Sequence, residues 1–390
     1  MKSVKEIVAA IRSVVDRGPP LCASNLHLPS IGIGERASVV SELLTNIVGY
    51  GALDQFQAKI AEVSGTEQAL CVNSGTAALH LALMVAGVKQ NEEVLMPALT
   101  FIATANAVSY TGAVPHLVDI RQWDLGIHPF KLQRYLERIA ERRDGGTYNK
   151  KTERRIAAII AVDLLGYPAD MDAINAEAGR WGLPVVEDAA EALGSRYKGR
   201  PCGSSAFVGV LSFNNNKIIT TNGGGALLTN DAFVQANAWE LATTARLGHP
   251  WLMGNHTRIG WNYRMGNINA ALAIPQLDRL EELVAAKQKL HRAYCENLSV
   301  GIEAELEGEP VEGNRWNCWL NALTLEPMDH RRDEICAAII AQGIACRTLF
   351  TPLHMLPFFK ECPRDNLDTA VDVWKRTICL PSSPQLGAAL

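Results

Sequence analysis

Short apolar runs alternate with amphipathic segments through the middle of the chain, and this alternation predicts its secondary structure. Strands are predicted at 69–72, 94–96, 114–118, 156–162 and 184–187, and helices at 77–88, 103–110, 129–140 and 171–181. Strands that alternate with helices at this spacing favour an α/β fold with a mostly parallel sheet covered on both faces. The polar stretch 141–155 is predicted to be a solvated loop.

The two ends of the chain follow different patterns. Helices are predicted at 1–18 and 35–47, separated by a passage rich in proline and glycine, and a single long helix is predicted from about 268 to 298. Beyond it, alternating strands and helices predict a smaller C-terminal α/β unit. We therefore predict a helical arm (1–50), a large domain (51–275) and a small domain that includes the long bridging helix (276–390).

Composition narrows the possible partners. The chain has 390 residues and a net charge of −4, so nothing in its charge favours a nucleic acid or a membrane surface. No apolar run approaches the roughly 18 residues that a membrane-spanning helix needs, and the first helix lacks the apolar core of a signal peptide. The nine cysteines are scattered without a metal-binding spacing. We expect a cytoplasmic protein without disulfides or zinc.

The most informative stretch is FVGVLSFNNNKIITTNGGGALLT, which covers residues 207–229. It reads as a strand, a polar turn with the single lysine Lys217, and a return strand that begins with three glycines. A lysine held between buried strands is costly unless it is paired, neutralised or used covalently. Its amine could form a Schiff base with a carbonyl compound. A surface lysine at a hairpin tip would produce the same pattern.

Two further features follow predicted strands, at the sheet edge where α/β proteins bind ligands. Ser74, Gly75 and Thr76 begin a helix and could bind an anion, or simply cap the helix. Asp188 ends an apolar strand and could pair with a cationic ring nitrogen, or cap a helix; Ser212 could reach the same anion. An anion site, an acid and an amine together fit pyridoxal 5′-phosphate (PLP).

Five motifs carry a resemblance to a known family. The segments SGTAALHLAL, PALTFIATANAV, VVEDAAEALGS, SFNNNKIITTNGGGALLT and GWNYRMGNINAAL occur in the order and spacing of the DegT/DnrJ/EryC1/StrS family. The similarity extends from about residue 50 to 383. It implies a PLP-dependent sugar aminotransferase with the aspartate-aminotransferase (type I) fold. The C-terminal segment LFTPLHMLPFFKECPRDNL is most similar to the LegC branch, whose members act on nucleotide sugars.

The resemblance implies a role for each matching residue around the cofactor. Lys217 would be the Schiff-base lysine that also moves the substrate proton, and Asp188 would pair with the pyridine nitrogen. Glu191 would lie near the phenolic oxygen of the cofactor. The phosphate group would be bound by residues of the helix start and of the lysine strand: Ser74, Gly75, Thr76 and Ser212.

Four other residues take their expected roles from the resemblance alone. Phe101 would stack on the pyridine ring, and His354 would belong to the sugar pocket. Asn262 would reach the phosphate bound by the neighbouring subunit, which implies a homodimer with shared active sites. Arg264 belongs to the same motif and is expected to contact substrate. The resemblance implies no role for a metal.

The expected reaction follows from the same resemblance. L-Glutamate would convert PLP to pyridoxamine phosphate (PMP) and leave as 2-oxoglutarate. The amine would then pass to the keto carbon, C4, of a UDP- or dTDP-linked 4-keto-6-deoxyhexose, for the synthesis of amino sugars in surface glycans. Two positions depart from the family pattern: Asp163 stands where a histidine is usual, and Glu191 stands where many members have glutamine or histidine.

Two other readings remain open at this level. One is another type I PLP enzyme, such as a desulfurase or a decarboxylase, although no cysteine occupies a Gly/Ser-rich loop near Lys217. The other is a PLP-binding regulator of gene expression, against which the negative charge and the absence of a basic helix-turn-helix motif argue.

Overall fold

The structure is a computed structural model that describes residues 2–18, 26–45, 51–246, 254–298, 312–327 and 329–390. Its helices are α1 (Val4–Val15), α2 (Ile33–Thr45), α3 (Gly51–Ser64), α4 (Gly75–Val85), α5 (Ile102–Tyr110), α6 (Pro129–Ile139), α7 (Met171–Trp181), α8 (Ala232–Ala242), α9 (Asn267–Asp278), α10 (Leu280–Leu298), α11 (Arg332–Ala341), α12 (Asp368–Arg376) and α13 (Pro384–Ala389). Its strands are β1 (Gln68–Val72), β2 (Glu93–Pro97), β3 (Val114–Val118), β4 (Ala140–Arg143), β5 (Gly146–Asn149), β6 (Arg155–Val162), β7 (Val185–Asp188), β8 (Arg196–Tyr197), β9 (Arg200–Pro201), β10 (Val208–Ser212), β11 (Gly225–Thr229), β12 (Asn321–Thr324), β13 (Arg347–Thr348) and β14 (Thr377–Leu380).

The central element is a nine-stranded sheet whose main path runs β1-β11-β10-β7-β6-β2-β3. Strands β3, β2, β6, β7 and β10 pair in parallel, whereas β11 is antiparallel to both of its neighbours. Their carboxyl ends therefore meet at one edge, and the residues after β7 and β10 become neighbours. The predicted mostly parallel α/β sheet is confirmed.

The central strands are apolar on both faces, as expected of a sheet covered by helices on each side. Residues 156–162 of β6 read IAAIIAV and are all buried. Helix α4 packs against β10 and β11 on one face, and α7 packs against β6 on the other. The packed sheet provides a rigid base for the loops at its carboxyl edge.

A second, smaller sheet has the order β12-β14-β13 and is antiparallel throughout. It shares an apolar cluster with α1, α10 and α11, to which Ile11, Leu290, Leu323 and Ile335 contribute. The first helix of the chain thus packs with C-terminal elements. The domain boundaries drawn from the sequence stay a prediction.

The expectation of a solvated loop at 141–155 is wrong. Strands β4 and β5 form a hairpin there, and β5 pairs with β6 to extend the main sheet. Asp144 and Gly145 both have positive φ, at 50° and 73°. An Asp-Gly pair favours this turn because its left-handed backbone matches the twist of the two strands. Thr147 and Asn149 are buried polar residues that disguised the strand pattern.

The single long helix predicted from about 268 to 298 is also wrong, because α9 and α10 are separate helices. Arg279 lies between them with φ −104° and ψ 11°, outside helical values. Pro275 within α9 has no N–H to donate, so the carbonyl of Ala271 accepts a hydrogen bond from the Ser38 hydroxyl instead (2.8 Å). In the ranges that the structure describes, no helix has the length and apolar character to cross a membrane.

Candidate active site

A cavity of about 270 Å³ lies at the carboxyl edge of the main sheet. It is bounded by the start of α4, the start of α5, the loops after β7 and β10, and part of the small sheet. Its walls include eight residues singled out from the sequence: Ser74, Gly75, Thr76, Phe101, Asp188, Glu191, Ser212 and Lys217.

Lys217 is held in the cavity from two directions. Its side chain is 13% exposed, and its Nζ lies 3.2 Å from Oε1 of Glu191. The same nitrogen lies 3.9 Å from the ring centroid of Trp319, a cation–π distance. The indole N–H of Trp319 donates to the carbonyl of Asn216 (2.7 Å), which fixes the ring beside the lysine backbone. Lys217 is therefore a positioned amine rather than a solvated hairpin tip.

Asp188 is the buried acid of the cavity. It ends β7, is only 4% exposed, and accepts a hydrogen bond from the Thr104 hydroxyl at Oδ2 (2.8 Å). Burial raises the pKa of Asp188 to about 6, while the hydrogen bond from Thr104 lowers it. A carboxylate that has lost its water gains most from a cationic partner in the same site.

The anion seat is the N-terminus of α4. Ser74 caps this helix, because its Oγ accepts the N–H of Ala77 (3.1 Å). Close packing here depends on glycine, since a Cβ on Gly75 would lie 2.9 Å from Cβ of Ser212. A Cβ on Gly225 would likewise lie 2.6 Å from the nitrogen of Gly75. The helix N-terminus and the Ser212 hydroxyl are thus brought to one wall, where an anion is favoured.

Three residues named from the sequence are not in the cavity wall. Asn262 is exposed, and its carbonyl accepts a hydrogen bond from the side chain of Asn73 (3.4 Å). Arg264 is exposed and its backbone pairs with Val72. His354 is half-buried in a short 3-10 turn, and burial lowers the pKa of its imidazole.

Sequence reasoning missed several residues that the fold brings to the cavity, among them Thr104, Trp319, Arg347 and Phe350. Thr104 lies one helical turn after Phe101, a spacing that could have suggested it. Trp319, Arg347 and Phe350 come from C-terminal segments more than a hundred residues beyond Lys217, and no local signal marks them. The Arg347 guanidinium lies 5.4 Å from the ring centroid of Phe350, which in turn lies 5.3 Å from the ring of Phe101.

Comparison with known proteins identifies the family of the chain. The model of the DegT/DnrJ/EryC1/StrS aminotransferase family matches residues 33–389. The chain belongs to this family. The predicted family and fold class are therefore confirmed, and the protein is an enzyme of the PLP-dependent sugar aminotransferase class.

Named relatives agree with this membership. The protein named "Putative pyridoxal phosphate-dependent aminotransferase EpsN" from Bacillus subtilis (strain 168) is 38% identical over 344 residues, covering 86% of this chain and 84% of the relative. The GDP-perosamine synthase of Escherichia coli O157:H7 is 32% identical over 337 residues, with 86% of each chain covered. A crystal structure of a family aminotransferase from Brucella abortus has a TM-score of 0.80 at 27% identity, covering 91% of this chain and 94% of the other.

The cavity fits the cofactor of this aminotransferase family. PLP has three groups to bind: an anionic phosphate, a ring nitrogen that is cationic when protonated, and an aldehyde. The N-terminus of α4 is suited to the first and the buried carboxyl of Asp188 to the second. Lys217 is the amine suited to the third. The fit is carried by Asp188 above all, since a buried acid with a raised pKa is stabilised as an anion by a cation beside it.

Proposed function

We propose that the protein transfers the amino group of L-glutamate to the C4 keto carbon of a nucleotide-linked 4-keto-6-deoxyhexose. The product would be an amino sugar for a surface glycan, and 2-oxoglutarate would leave as the co-product. The resemblance to the LegC branch favours a UDP- or dTDP-linked sugar. The name of the GDP-perosamine synthase relative makes GDP the alternative nucleotide.

One observation carries this proposal: Lys217, Asp188 and the N-terminus of α4 line the same cavity, with Glu191 at 3.2 Å from the lysine nitrogen. When bound, PLP supplies an electron sink for the electron pair released at the amino-bearing carbon. Asp188 would hold the ring nitrogen in its protonated form, and Ser212 with Gly75 and Thr76 would hold the phosphate.

Lys217 would act as the proton carrier of the site. Its amine can accept a proton from the donor carbon and return it to the carbon that receives the amino group. Glu191 accepts a hydrogen bond from this nitrogen through Oε1, and its Oε2 accepts the backbone N–H of Leu165 (2.8 Å). Because both oxygens of Glu191 are occupied, the lysine is directed rather than free to swing. Trp319 closes the other side of Lys217.

Arg347 would bind the anionic part of a substrate. It is an exposed cation in the cavity wall, and its guanidinium rests against Phe350. Both substrates carry anions, as a carboxylate in the donor and as a diphosphate in the sugar nucleotide. Guanidinium groups bind either one through paired hydrogen bonds.

The proposed function is tested first by visible absorption spectra of the purified protein before and after addition of L-glutamate. Conversion of the yellow PLP form to the PMP form by glutamate is the expected result. Release of 2-oxoglutarate is then measured with UDP-, dTDP- and GDP-linked 4-keto-6-deoxyhexoses, and NMR of the product locates the new amine. A spectrum that glutamate leaves unchanged, or an amine at C3, would contradict the proposal.

We also propose that two copies form a homodimer that shares its active sites. Asn262 and Arg264 lie outside the cavity wall of their own chain, and both are exposed at its surface. Large apolar side chains are strongly exposed nearby in sequence and on α2: Ile259, Ile33 and Leu44 are 84%, 86% and 81% exposed. Exposed apolar groups of this size are typical of a subunit interface.

Mixed dimers test the sharing of sites. One chain carries Lys217→Ala and the other Asn262→Ala, each inactive or weakened as a homodimer. If Asn262 serves the partner's site, each mixed dimer has one intact site, and random exchange restores about a quarter of wild-type activity. If each site is built from one chain, mixing restores nothing, and the sharing proposal fails.

A further inference from the structure

Three buried groups lie directly behind the cavity wall, on the far side of Asp188. They are Asp163, which follows β6, Glu187, which precedes Asp188 on β7, and Cys202, which follows β9. Their ligand-type atoms all lie within 4.8 Å of one another, and Asp163 and Glu187 have no exposed surface. Asp163 also stands where the family resemblance leads one to expect histidine. The trio therefore includes one position at which this chain departs from the usual family pattern.

The hydrogen bonds around the two acids are unequal. Both oxygens of Glu187 accept backbone N–H groups, Oε1 from Gly203 (2.7 Å) and Oε2 from Ser205 (2.9 Å). Oδ1 of Asp163 accepts the N–H of Ala169 (2.8 Å), whereas its Oδ2 has no hydrogen-bond partner among the described residues. Glu187 is thus surrounded by donors, as a carboxylate requires. Oδ2 of Asp163 is the oxygen with room for a proton.

Burial and the short distance between these two carboxyl groups strongly disfavour ionisation of both. A proton on Asp163 Oδ2 removes the second charge and supplies the missing hydrogen bond in one step. A proton on Glu187 would instead weaken one of the hydrogen bonds from Gly203 and Ser205, because a hydroxyl oxygen accepts less strongly than a carboxylate oxygen. The proton therefore belongs to Asp163.

We propose that Asp163 is a neutral carboxylic acid that donates its proton to Glu187, and that this pair positions the reactive amine Lys217 from behind. Asp163 is not among the residues that line the cavity, so its proposed role is that of a positioning residue. The inference rests on the role of Lys217 in the proposed function.

One short turn, residues 163–169, connects Asp163 to Lys217. The carbonyl of Asp163 accepts the N–H of Gly166 (3.1 Å), and its Oδ1 holds Ala169, so this side chain closes the turn 163–169. Within that turn Leu165 has a left-handed backbone, with φ 57°. Its N–H donates to Oε2 of Glu191 (2.8 Å), whose other oxygen holds Lys217.

The opposite end of the pair supports a second loop. Glu187 holds the backbone of Gly203 and Ser205, just before β10 leads to Lys217. The proposed hydrogen bond from Asp163 to Glu187 thus links the turn 163–169 to the loop 203–205. The backbone N–H of Asp163 also donates to the carbonyl of Asp188 (3.1 Å), which keeps the strand ends in register.

The electrostatic surroundings agree with a protonated Asp163. Burial raises the pKa of Asp163 well above its usual range, and the charges of Glu187 and Asp188 raise it further. The hydrogen bond from the Ala169 N–H and the neighbouring Cys202 side chain lower the pKa only in part. Among the cations nearby, Arg200 lowers the pKa of Glu187 and Arg196 lowers the pKa of Cys202.

Because the pKa of Asp163 is raised in the folded protein, this group makes folding stability depend on pH. The folded protein keeps a proton on Asp163 that the unfolded chain loses at its ordinary acidic pKa. The contribution of this group to stability therefore falls as pH rises above that value, up to the folded pKa.

Asparagine and glutamine substitutions locate the proton. Asp163→Asn keeps an acceptor for Ala169 and offers N–H to Glu187, so it mimics the proposed acid. Glu187→Gln places an N–H₂ group against a backbone N–H donor. We expect the melting temperature of Asp163→Asn to stay close to wild type and that of Glu187→Gln to fall by several degrees, about 4 °C or more. The reverse order would place the proton on Glu187 and overturn the proposal.

Infrared spectra supply a direct readout that does not depend on the sugar substrate. The wild-type protein at neutral pH should show the carbonyl stretch of a buried protonated carboxylic acid, and Asp163→Asn should lack that band. If the band is absent from the wild type, both acids are ionised and the proposal fails. Metal analysis of the purified wild type provides a further check, since one equivalent of a tightly bound divalent metal, lost in Asp163→Asn, would make the trio a metal site instead.

Kinetic measurements distinguish a role of Asp163 in positioning Lys217 from a role in fold stability alone. Asp163→Ala removes the support of the turn, so kcat should fall about tenfold or more while KM for L-glutamate changes little. Asp163→Asn should restore kcat and extend activity toward higher pH, because its amide cannot ionise. An Asp163→Ala protein with wild-type kcat, or an Asp163→Asn protein as impaired as Asp163→Ala, would refute the positioning role. If Lys217 were not the reactive amine, the infrared and melting results would stand and the kinetic ones would not.

Discussion

Replacing Thr104 with valine removes one hydroxyl group from the side of Asp188 and little else. Thr104 lies on α5, is buried, and donates to Oδ2 of Asp188 at 2.8 Å. Valine has nearly the same shape, so the helix and its packing should remain. The carboxylate loses its side-chain donor and keeps the weaker backbone hydrogen bond from Ala190 (3.3 Å).

The size of the effect can be worked out from this geometry. A hydrogen bond to a charged group contributes about 1.5–3 kcal/mol, which corresponds to about 1–2 pH units. The pKa of Asp188 is about 6 in the protein without ligand, and the substitution should raise it. At pH 7 the ionised fraction then falls from about nine-tenths to between about half and a tenth, so the affinity for PLP falls about two- to tenfold.

The assay is a titration of cofactor-free protein with PLP at a series of pH values from about 5.5 to about 9. The difference between variant and wild type should be largest at low pH. It should disappear at high pH, where the carboxyl of Asp188 is ionised in both proteins. The sign follows because only the ionised form attracts the protonated ring nitrogen.

Thr100→Val is the matched control. The Thr100 hydroxyl lies 3.1 Å from that of Thr104 but makes no hydrogen bond to Asp188 in the structure. It should therefore leave the pH profile of PLP binding nearly unchanged. A Thr104→Val protein whose PLP affinity is reduced equally at every pH, or not at all at low pH, would refute the assignment of Thr104 as the group that sets the ionisation of Asp188.

Three further substitutions test the other walls of the cavity. Gly75→Ala overpacks the anion seat at a cost of about 1–3 kcal/mol, so PLP affinity should fall about tenfold or more. Gly179→Ala is the control, because a Cβ at this helical glycine would meet nothing within 4 Å. It should leave PLP affinity unchanged. Lys217→Ala should fold with a near-normal melting curve and lose amino transfer, and turnover at the wild-type rate would contradict its role. Arg347→Gln should raise KM for the substrate whose anion it binds while kcat changes less, and unchanged KM values for both substrates would remove it from the binding site.

The parts of the site that the residue pattern predicts without the family resemblance share one property, which is that each has a local signal. A strand followed by NSGTA indicates a helix N-terminus at the sheet edge, and an apolar strand that ends in Asp188 indicates a buried acid there. Lys217 stands out because an isolated lysine follows an apolar strand and precedes three glycines. The Asp-Gly turn at 144–145 was also a local signal, but buried polar residues in β5 concealed the strand that follows it.

The rest of the site depends on contacts between distant segments. Trp319 and Arg347 reach the cavity only because the small sheet packs beside the carboxyl edge of the main sheet. No spacing along the chain encodes that approach. The break between α9 and α10 likewise depends on the surroundings of Arg279, whose guanidinium contacts Glu282 and lies 3.6 Å from Glu35.

The sequence by itself determined which chemical groups this protein has and in which order its strands and helices present them, because hydrophobic periodicity and turn residues act over a few positions. The tertiary structure alone decided which of those groups meet and in what state of charge. Asp163 shows the difference most clearly. In the sequence Asp163 is noted only as a departure from the family pattern, whereas in the fold it is fully buried beside Glu187. Burial and a like-charged neighbour decide where its proton lies.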